Sequence, residues 1–371
     1  MIRLSPFALF AAAAFALAAL FTLFVRRACI RWRVYDSPGP LKIHSRPIPR
    51  LGGVAITLAL AATLGIAAHE QSSFGVVWPF FAALGLIWIT GLIDDLRGLP
   101  PAIRIVAQFA AAALLWQAGW RLPWPHDGVV GFAASAIFLI VFVNAFNFLD
   151  GADGVAASVA AVLAIIYAAH PAALLAPFAT SVAAALLGVC AGFLLFNLPP
   201  AKIFMGDSGS TMLGFAVAFV SLEFYRSNAA EPKFAAFPLV VAALPLLDAA
   251  LAVTRRLQNR ASPFYGDRRH FYDLLLSRGW RPHKVVLACV AITAGLGVAA
   301  AESLRIRLPI GAAIEFLCLG SLFAAAIGLG SLHLEEAPPP SAPGAIRGAS
   351  NPPERARFRS LTHRGASHAK P

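Results

Sequence analysis

The sequence predicts an all-α, polytopic integral membrane protein of about 11 (10–11) transmembrane helices, with its N-terminus outside and its C-terminus in the cytoplasm. Composition, the length of the apolar runs and the placement of basic residues predict it. Of 371 residues, 59% are hydrophobic and 13% charged, against about 45–50% and about 25% in soluble domains. A chain this apolar is not disordered, since disorder needs low hydrophobicity. The cysteines Cys29, Cys190, Cys289 and Cys318 lie far apart with no CxxC or metal-ligand spacing. That excludes a disulfide scaffold and leaves them as packing residues. The net charge of +12 is no nucleic-acid footprint, because its basic residues fall mostly on one membrane face and set topology.

A helix crosses a bilayer with roughly 20 mainly apolar residues, and about eleven such runs occur in order. They lie near 5–25, 51–68, 74–93, 103–122, 129–148, 154–169, 173–195, 211–225, 234–253, 285–301 and 308–332. The sixth and eighth are short, hence the lower figure of ten. Lipid offers the backbone no hydrogen-bond partner, so the runs must be helical. The first run is followed by Arg26, Arg27, Arg31 and Arg33, with only Arg3 before it. A signal peptide carries its charge in front; this order places residues 26–50 in the cytoplasm. Alternating from there, 24 of the 30 Lys and Arg residues fall inside, in 26–50, 94–104, 196–210, 254–284 and beyond 333. Trp116, Trp120 and Trp124, at the outer end of the fourth run, read as an interfacial belt. Residues 1–332 form the membrane domain. Residues 333–371, with Pro338, Pro339, Pro340 and six basic residues, read as a disordered cytoplasmic tail.

Acids follow a second pattern. Asp36, Asp94, Asp95, Asp150, Asp153, Asp207, Asp267 and Asp273 lie in cytoplasmic loops or at cytoplasmic helix ends, Asp248 lies near one, and only Asp127 is outside. Glu70, Glu231 and Glu302 fall outside, with Glu223 near the outer face. Ionisable groups at membrane depth are costly and usually functional. Asp94-Asp95 end the third helix, where two carboxylates oppose the dipole and a cation would relieve them. Asn147, Asp150 and Asp153 recur at three-residue spacing in a Gly-containing segment. Gly206-Asp207-Ser208-Gly209-Ser210 precedes an apolar run, a helix N-terminus that favours phosphate. Arg255, Arg256, Arg260, Arg268, Arg269 and His270 share one loop, and Arg forks suit phosphate oxygens. Acids beside such elements imply a divalent ion with a phosphorylated ligand, and hence phosphoryl transfer. A polytopic transporter is the other class, although its charges would more often sit at the midplane.

Four segments carry a family resemblance: His44-Ser-Arg46-Pro-Ile-Pro-Arg50-Leu-Gly52-Gly53, Asp94-Asp95, Asn144 to Gly154, and Phe204-Met-Gly-Asp207-Ser-Gly-Ser. In these the chain resembles the polyprenyl-phosphate N-acetylhexosamine-1-phosphate transferases, glycosyltransferase family 4. That family includes phospho-N-acetylmuramoyl-pentapeptide translocase and the enzymes that start O-antigen, enterobacterial common antigen and teichoic acid linkage units. The resemblance implies transfer of N-acetylhexosamine-1-phosphate from a UDP-N-acetylhexosamine to undecaprenyl phosphate, giving UMP. It implies Mg²⁺, or Mn²⁺ in its place, a cytoplasm-facing site in the bacterial inner membrane, and a homodimer as one form of assembly. By motif, catalytic roles fall on Asp94, Asp95, Asp150, Asp153 and His270. Substrate binding falls on Asn147, Asn197, Phe204, Arg46, Arg268 and Arg269, and the metal on Asp207 and Asp95. Phe204 matches a uracil-stacking position. Two departures stand out: Gly98 occupies the place of the translocase's Lys after its Asp pair, and His270-Phe271-Tyr272-Asp273 replaces His-x-His-His. The His-Phe-Tyr form, with the arginines before it, looks closer to the O-antigen initiating enzymes than to the pentapeptide translocase, which remains the alternative enzyme. A CDP-alcohol phosphatidyltransferase would need Ala-Arg after Asp150-Gly151, where the chain has Ala152-Asp153.

Overall fold

A computed structural model of the chain describes residues 5–39, 44–124, 128–170, 176–228, 234–264 and 266–332. The proposed tail 333–371 and the loop residues Arg3, Lys42, Asp127, Glu231 and Lys233 lie outside the described residues.

Every apolar run is helical over most of its described residues. In chain order the helices are α1 (Pro6–Trp32), α2 (Gly52–Glu70), α3 (Phe74–Arg97), α4 (Pro101–Gln117), α5 (Gly128–Leu149), α6 (Val155–Ala169), α7 (Pro177–Asn197) and α8 (Gly206–Ser227). They continue as α9 (Phe237–Val241), α10 (Ala243–Gln258), α11 (Phe271–Ser277), α12 (Pro282–Ser303) and α13 (Leu308–Gly328). Between α1 and α2, β1 (Tyr35–Asp36) pairs antiparallel with β2 (Ile48–Pro49). Among the described residues, seven helices, α1, α2, α3, α5, α7, α12 and α13, are long and apolar enough to cross a membrane. The protein is a polytopic, all-helical membrane protein.

The ninth run is not one helix. Pro245 has no N–H to offer the Val241 carbonyl and its ring would crowd that oxygen, so the run parts at Ala242 into α9 and α10. Helix α11 lies inside the 254–284 loop expected between the ninth and tenth runs. At the centre stands α8, buried on every face from Ser208 to Tyr225, as befits a helix surrounded by others. It packs on α2, α3, α5, α6 and α7.

Side-chain contacts sort the helix ends. At one end Arg26 of α1 donates to the Lys202 carbonyl, Gly52 of α2 donates to Phe204, and Arg104 of α4 meets Asp94 and Asp207. At the other end Gln71, just past α2, donates to Ser181 of α7, and Trp120 Nε1 donates to Glu223 of α8 at 2.8 Å. Trp120 is therefore buried, not part of an interfacial belt; its indole N–H serves a buried carboxylate. Trp124 is exposed as expected. Glu315, an acid in an apolar run, accepts from Ser303 Oγ at 2.6 Å within the α12–α13 hairpin.

Candidate active site

The first helical turn of α8 is the pivot of the acid-rich end. Phe204 and Met205 lead into it and are held by β2 and the residues after it. Phe204 N donates to the Pro49 carbonyl, Gly52 N to the Phe204 carbonyl and Gly53 N to the Met205 carbonyl, each at 2.8 Å. Here α2 and α8 nearly touch: a Cβ on Gly53 would sit 2.2 Å from the Gly209 nitrogen. No side chain fits there, which is why the sequence carries glycine.

Asp95 closes this helix start. One of its oxygens accepts the Asp207 N–H at 2.9 Å and Arg50 Nη2 at 2.9 Å. The other accepts the Ser208 N–H at 3.0 Å and Ser208 Oγ at 2.7 Å. A carboxylate satisfying the orphan N–H groups of a helix also meets the positive end of its dipole. The Asp95 side chain is fully buried, whereas that of Asp207 is 33% exposed. Of the two acids expected to ligate metal, the structure leaves Asp207 open and commits Asp95 to α8.

Asp207 meets two neighbours from other helices. Arg104 Nη1 donates to Asp207 Oδ2 at 3.0 Å and to Asp94 Oδ2 at 2.8 Å, bridging α3 and α8. Asn147 Nδ2 donates to Asp207 Oδ1 at 3.0 Å and to Ser210 Oγ at 3.1 Å. Beyond Asn147 the chain leaves α5 in a turn with Asp150 and Asp153. Asp153 accepts the Ala201 N–H at 2.8 Å. Asn197 joins this turn to the next loop, accepting from Gly154 N at 3.0 Å and donating to the Ile203 carbonyl at 2.9 Å. Burial and the charges of Asp207, Asp95 and Asp153 push the Asp150 carboxyl well above its usual range. Burial also raises Asp153, although the Ala201 N–H and His44 pull against it. Clustered like charges of this kind call for a counter-cation.

These groups frame a cavity of about 880 Å³. Asp95, Asp150, Asp153 and Asp207 lie on it, and so do Arg26, Arg46, Arg50 and Lys202, with Asn197 and Phe204 also lining it. Asp94 and Asn147 stand behind Asp207. His270, Arg268 and Arg269 do not line it: Arg268 lies 3.7 Å from Asp273, and His270 is bound to Asp248. Arg255 and Arg256, the basic residues next along α10, pair with Asp267 rather than with Asp248. Several lining or bridging residues, Lys202 among them, were not singled out from the sequence. Arg104 was counted only as a topology charge, although an arginine at the mouth of an apolar run is itself a functional signal. His44 opens the first resemblance segment without an assigned role; its ring lies 5.1 Å from the Phe204 ring and its Nε2 is 2.9 Å from Asp36. Arg26 carried no signal beyond its charge.

Among the described residues no three His, Cys, Asp or Glu side chains converge as a metal cage. Mg²⁺ does not require one: it keeps several waters and takes one or two carboxylates plus ligand phosphates. An open carboxylate beside a carboxamide, Asp207 with Asn147, fits that donor set.

The profile of glycosyl transferase family 4 matches residues 77–225. The decaprenyl-phosphate N-acetylglucosaminephosphotransferase of Mycolicibacterium smegmatis is 32% identical over 309 residues, covering 73% of this chain and 76% of its own length. The chain belongs to glycosyl transferase family 4. The Mycobacterium leprae decaprenyl-phosphate N-acetylglucosaminephosphotransferase is 33% identical over 287 residues, covering 67% of this chain and 72% of its own. The undecaprenyl-phosphate alpha-N-acetylglucosaminyl 1-phosphate transferase of Escherichia coli K12 is 27% identical over 307 residues, covering 76% and 81%. The family 4 match takes in Asp94-Asp95, Arg104, the Asn147–Gly154 turn and the start of α8. The β1–β2 segment with His44 and Arg50, and the segment around His270, lie outside it.

Proposed function

We propose that this chain transfers N-acetylglucosamine-1-phosphate from UDP-N-acetylglucosamine to a polyprenyl phosphate of the decaprenyl or undecaprenyl class, as its relatives are named for doing. The observation that carries the reading is the cavity in which five carboxylates and four Lys or Arg side chains meet at the start of α8. A phosphate oxygen of the lipid attacks the β-phosphorus of the UDP-sugar and forms the new P–O bond. The bond from that phosphorus to the bridging oxygen breaks, and its electron pair leaves on UMP.

Phosphoryl transfer asks mainly for alignment and charge neutralisation. Arg50, already fixed by Asp95, offers a guanidinium edge to diphosphate oxygens, and Arg26, Arg46 and Lys202 add charge around it. Phe204, held through its backbone on both sides, presents a rigid face for a pyrimidine. Mg²⁺, or Mn²⁺, held by Asp207 with Asn147 would neutralise the diphosphate. Asp95 keeps Asp207 in place, and Arg104 keeps Asp94 and Asp207 together when that charge is absent. The reading also takes eleven crossings with an outside N-terminus, and an inner-membrane enzyme with its acids facing the cytoplasm. Its support is that Arg26, Arg46, Arg50, Arg104 and Lys202 stand at the acid end, as cytoplasmic basic residues would.

The test uses purified protein in detergent with decaprenyl or undecaprenyl phosphate and a panel of UDP-sugars. UMP should form from UDP-N-acetylglucosamine only when lipid phosphate is present, should stop with EDTA and should return with Mg²⁺. Absence of UMP from every UDP-sugar, with counterflow of a polar solute into proteoliposomes, would replace the reading with a transporter.

A further inference from the structure

His270 lies off the cavity, 5% exposed, just before α11. Its Nδ1 donates to Asp248 Oδ2 at 2.6 Å, and the other Asp248 oxygen accepts the Phe271 N–H at 2.7 Å. Its Nε2 stands 3.4 Å from Arg256 Nη2 and 3.7 Å from Asp267 Oδ1. The imidazole stacks on Tyr272, with 5.5 Å between centroids and 8° between planes. Tyr272 in turn donates to the Phe148 carbonyl at 3.0 Å. Its ring and hydroxyl fill the space beside Gly151 so fully that a Cβ there would lie 1.9 Å from the hydroxyl oxygen. Arg256 covers the Phe148 ring from another side, 4.8 Å from its centroid. A continuous buried path thus runs from α10 through Asp248, His270 and Tyr272 to the turn that carries Asp150.

We propose that His270 is a positioning residue: with Asp248 it fixes Tyr272 against the 148–151 turn and so sets where Asp150 and Asp153 stand in the cavity. This rests on the transferase reading of that cavity. A histidine that moved a proton in the reaction would need a ring nitrogen within hydrogen-bond reach of the reacting groups. Here Nδ1 is committed to Asp248, and Nε2 faces Arg256 and Asp267. The ring supplies a donor to an acid on α10 and a flat face for Tyr272. Glycine at 151 completes the device, since any side chain there would displace the tyrosine.

The test compares His270→Ala, His270→Asn and Tyr272→Phe in the purified full chain. Asn places an N–H close to where Nδ1 stood and keeps the Asp248 bond. His270→Ala and Tyr272→Phe should each lower kcat for UMP release about tenfold, with the KM for UDP-sugar within about twofold. Their combination should be no worse than either alone, because both break one path. His270→Asn should recover to within about threefold of the parent and keep both limbs of the kcat–pH profile. Amide hydrogen exchange of residues 147–154 should rise in His270→Ala and Tyr272→Phe, at an unchanged melting temperature, and stay low in His270→Asn. If His270→Asn is as inactive as His270→Ala and loses a pH limb, the histidine is an acid or base and the proposal fails. It fails equally if the losses add, or if exchange at 147–154 is unmoved in Tyr272→Phe. UMP release by the parent protein tests the transferase reading separately, and the exchange measurement answers this proposal whatever that assay returns.

Discussion

Asp95 accepts the backbone N–H of Asp207 at 2.9 Å, so an acid at the end of α3 caps the helix that presents the part-exposed Asp207 carboxylate. The adjacent Asp94 does something else, turning to Arg104. Two neighbouring carboxylates are thereby split between holding a backbone and holding a charge.

The two acids should respond differently to amidation. Asp95→Asn turns an N–H toward the N–H groups it now accepts and should cost about 3–5 kcal/mol, as when one partner of a buried charge pair is removed. Asp207→Asn should change stability by about 1 kcal/mol or less, yet lower UMP release about a hundredfold or more. Melting temperature in detergent and UMP release, measured on both variants, check this; equal melting temperatures would contradict the capping role.

Arg104→Gln removes the cation shared by Asp94 and Asp207. Their mutual repulsion then favours a divalent ion. The Mg²⁺ concentration giving half-maximal thermal stabilisation should fall by about threefold to tenfold, the effect of one nearby charge at a partly exposed site. Turnover should fall as well, because the two acids lose their alignment. A Mg²⁺ titration followed by melting reads the first effect without relying on activity. A higher Mg²⁺ requirement would contradict it.

Gly53→Ala forces a methyl into the contact between α2 and α8, against backbone on the facing helix. The neighbour cannot yield as a side-chain tip would. The expected destabilisation is about 1–3 kcal/mol, with turnover lost in step because α8 starts at that contact. Gly65, with nothing near its Cβ position, is the control: Gly65→Ala should be neutral or slightly stabilising.

The segment before α11 should depend on pH in a defined direction. Burial pushes Asp267 upward, but the hydrogen bonds and charges of Arg256 and Arg255 outweigh it and hold the carboxyl below its usual range. Burial pushes His270 downward, but the charge and hydrogen bond of Asp248, with Asp267, outweigh it and hold the ring above its usual range. The carboxylate's contribution is present above about pH 3.9 and is lost as pH falls through the lowered value. The histidine's is complete below about pH 6.5 and is lost as pH rises through the raised value. The anchor is therefore tightest from about pH 4 to about pH 6.5 and weakens on the alkaline side. Amide exchange of residues 266–277, corrected for intrinsic rate, should increase from about pH 6 to about pH 9 in the parent and remain flat in His270→Asn.

Much of this was legible in the sequence, because membrane helices declare themselves by run length and acids are scarce enough to be noticed. The apolar runs are helical, the ninth in two pieces, and Asp94, Asp95, Asn147, Asp150, Asp153 and Asp207 do assemble at one end. What escaped depends on three-dimensional pairing. Position alone does not say that Asp95 spends its oxygens on α8 while Asp207 stays open. Nor does it say that Arg104 reaches across to α3 and α8, since its apolar flank resembles any helix start. The pairing of Asp248 with His270 joins residues on either side of a basic loop with several equivalent arginines. The break at Ala242 was within reach, because Pro245 forbids the hydrogen bond that would continue the helix.

Helix α8 is enclosed from Ser208 to Tyr225, and from Asp207 to Glu223 it spans about 24 Å at 1.5 Å per residue. One rod thus joins the acid at the cavity to the Trp120–Glu223–Arg226 cluster at the far end. A surrounded rod cannot bend or rotate without repacking every neighbour. The chemistry is pinned to the stiffest part of the molecule, like a tool held in a fixed post. The surrounding loops are then free to diversify in which sugar they admit while the acid at the post stays where it is.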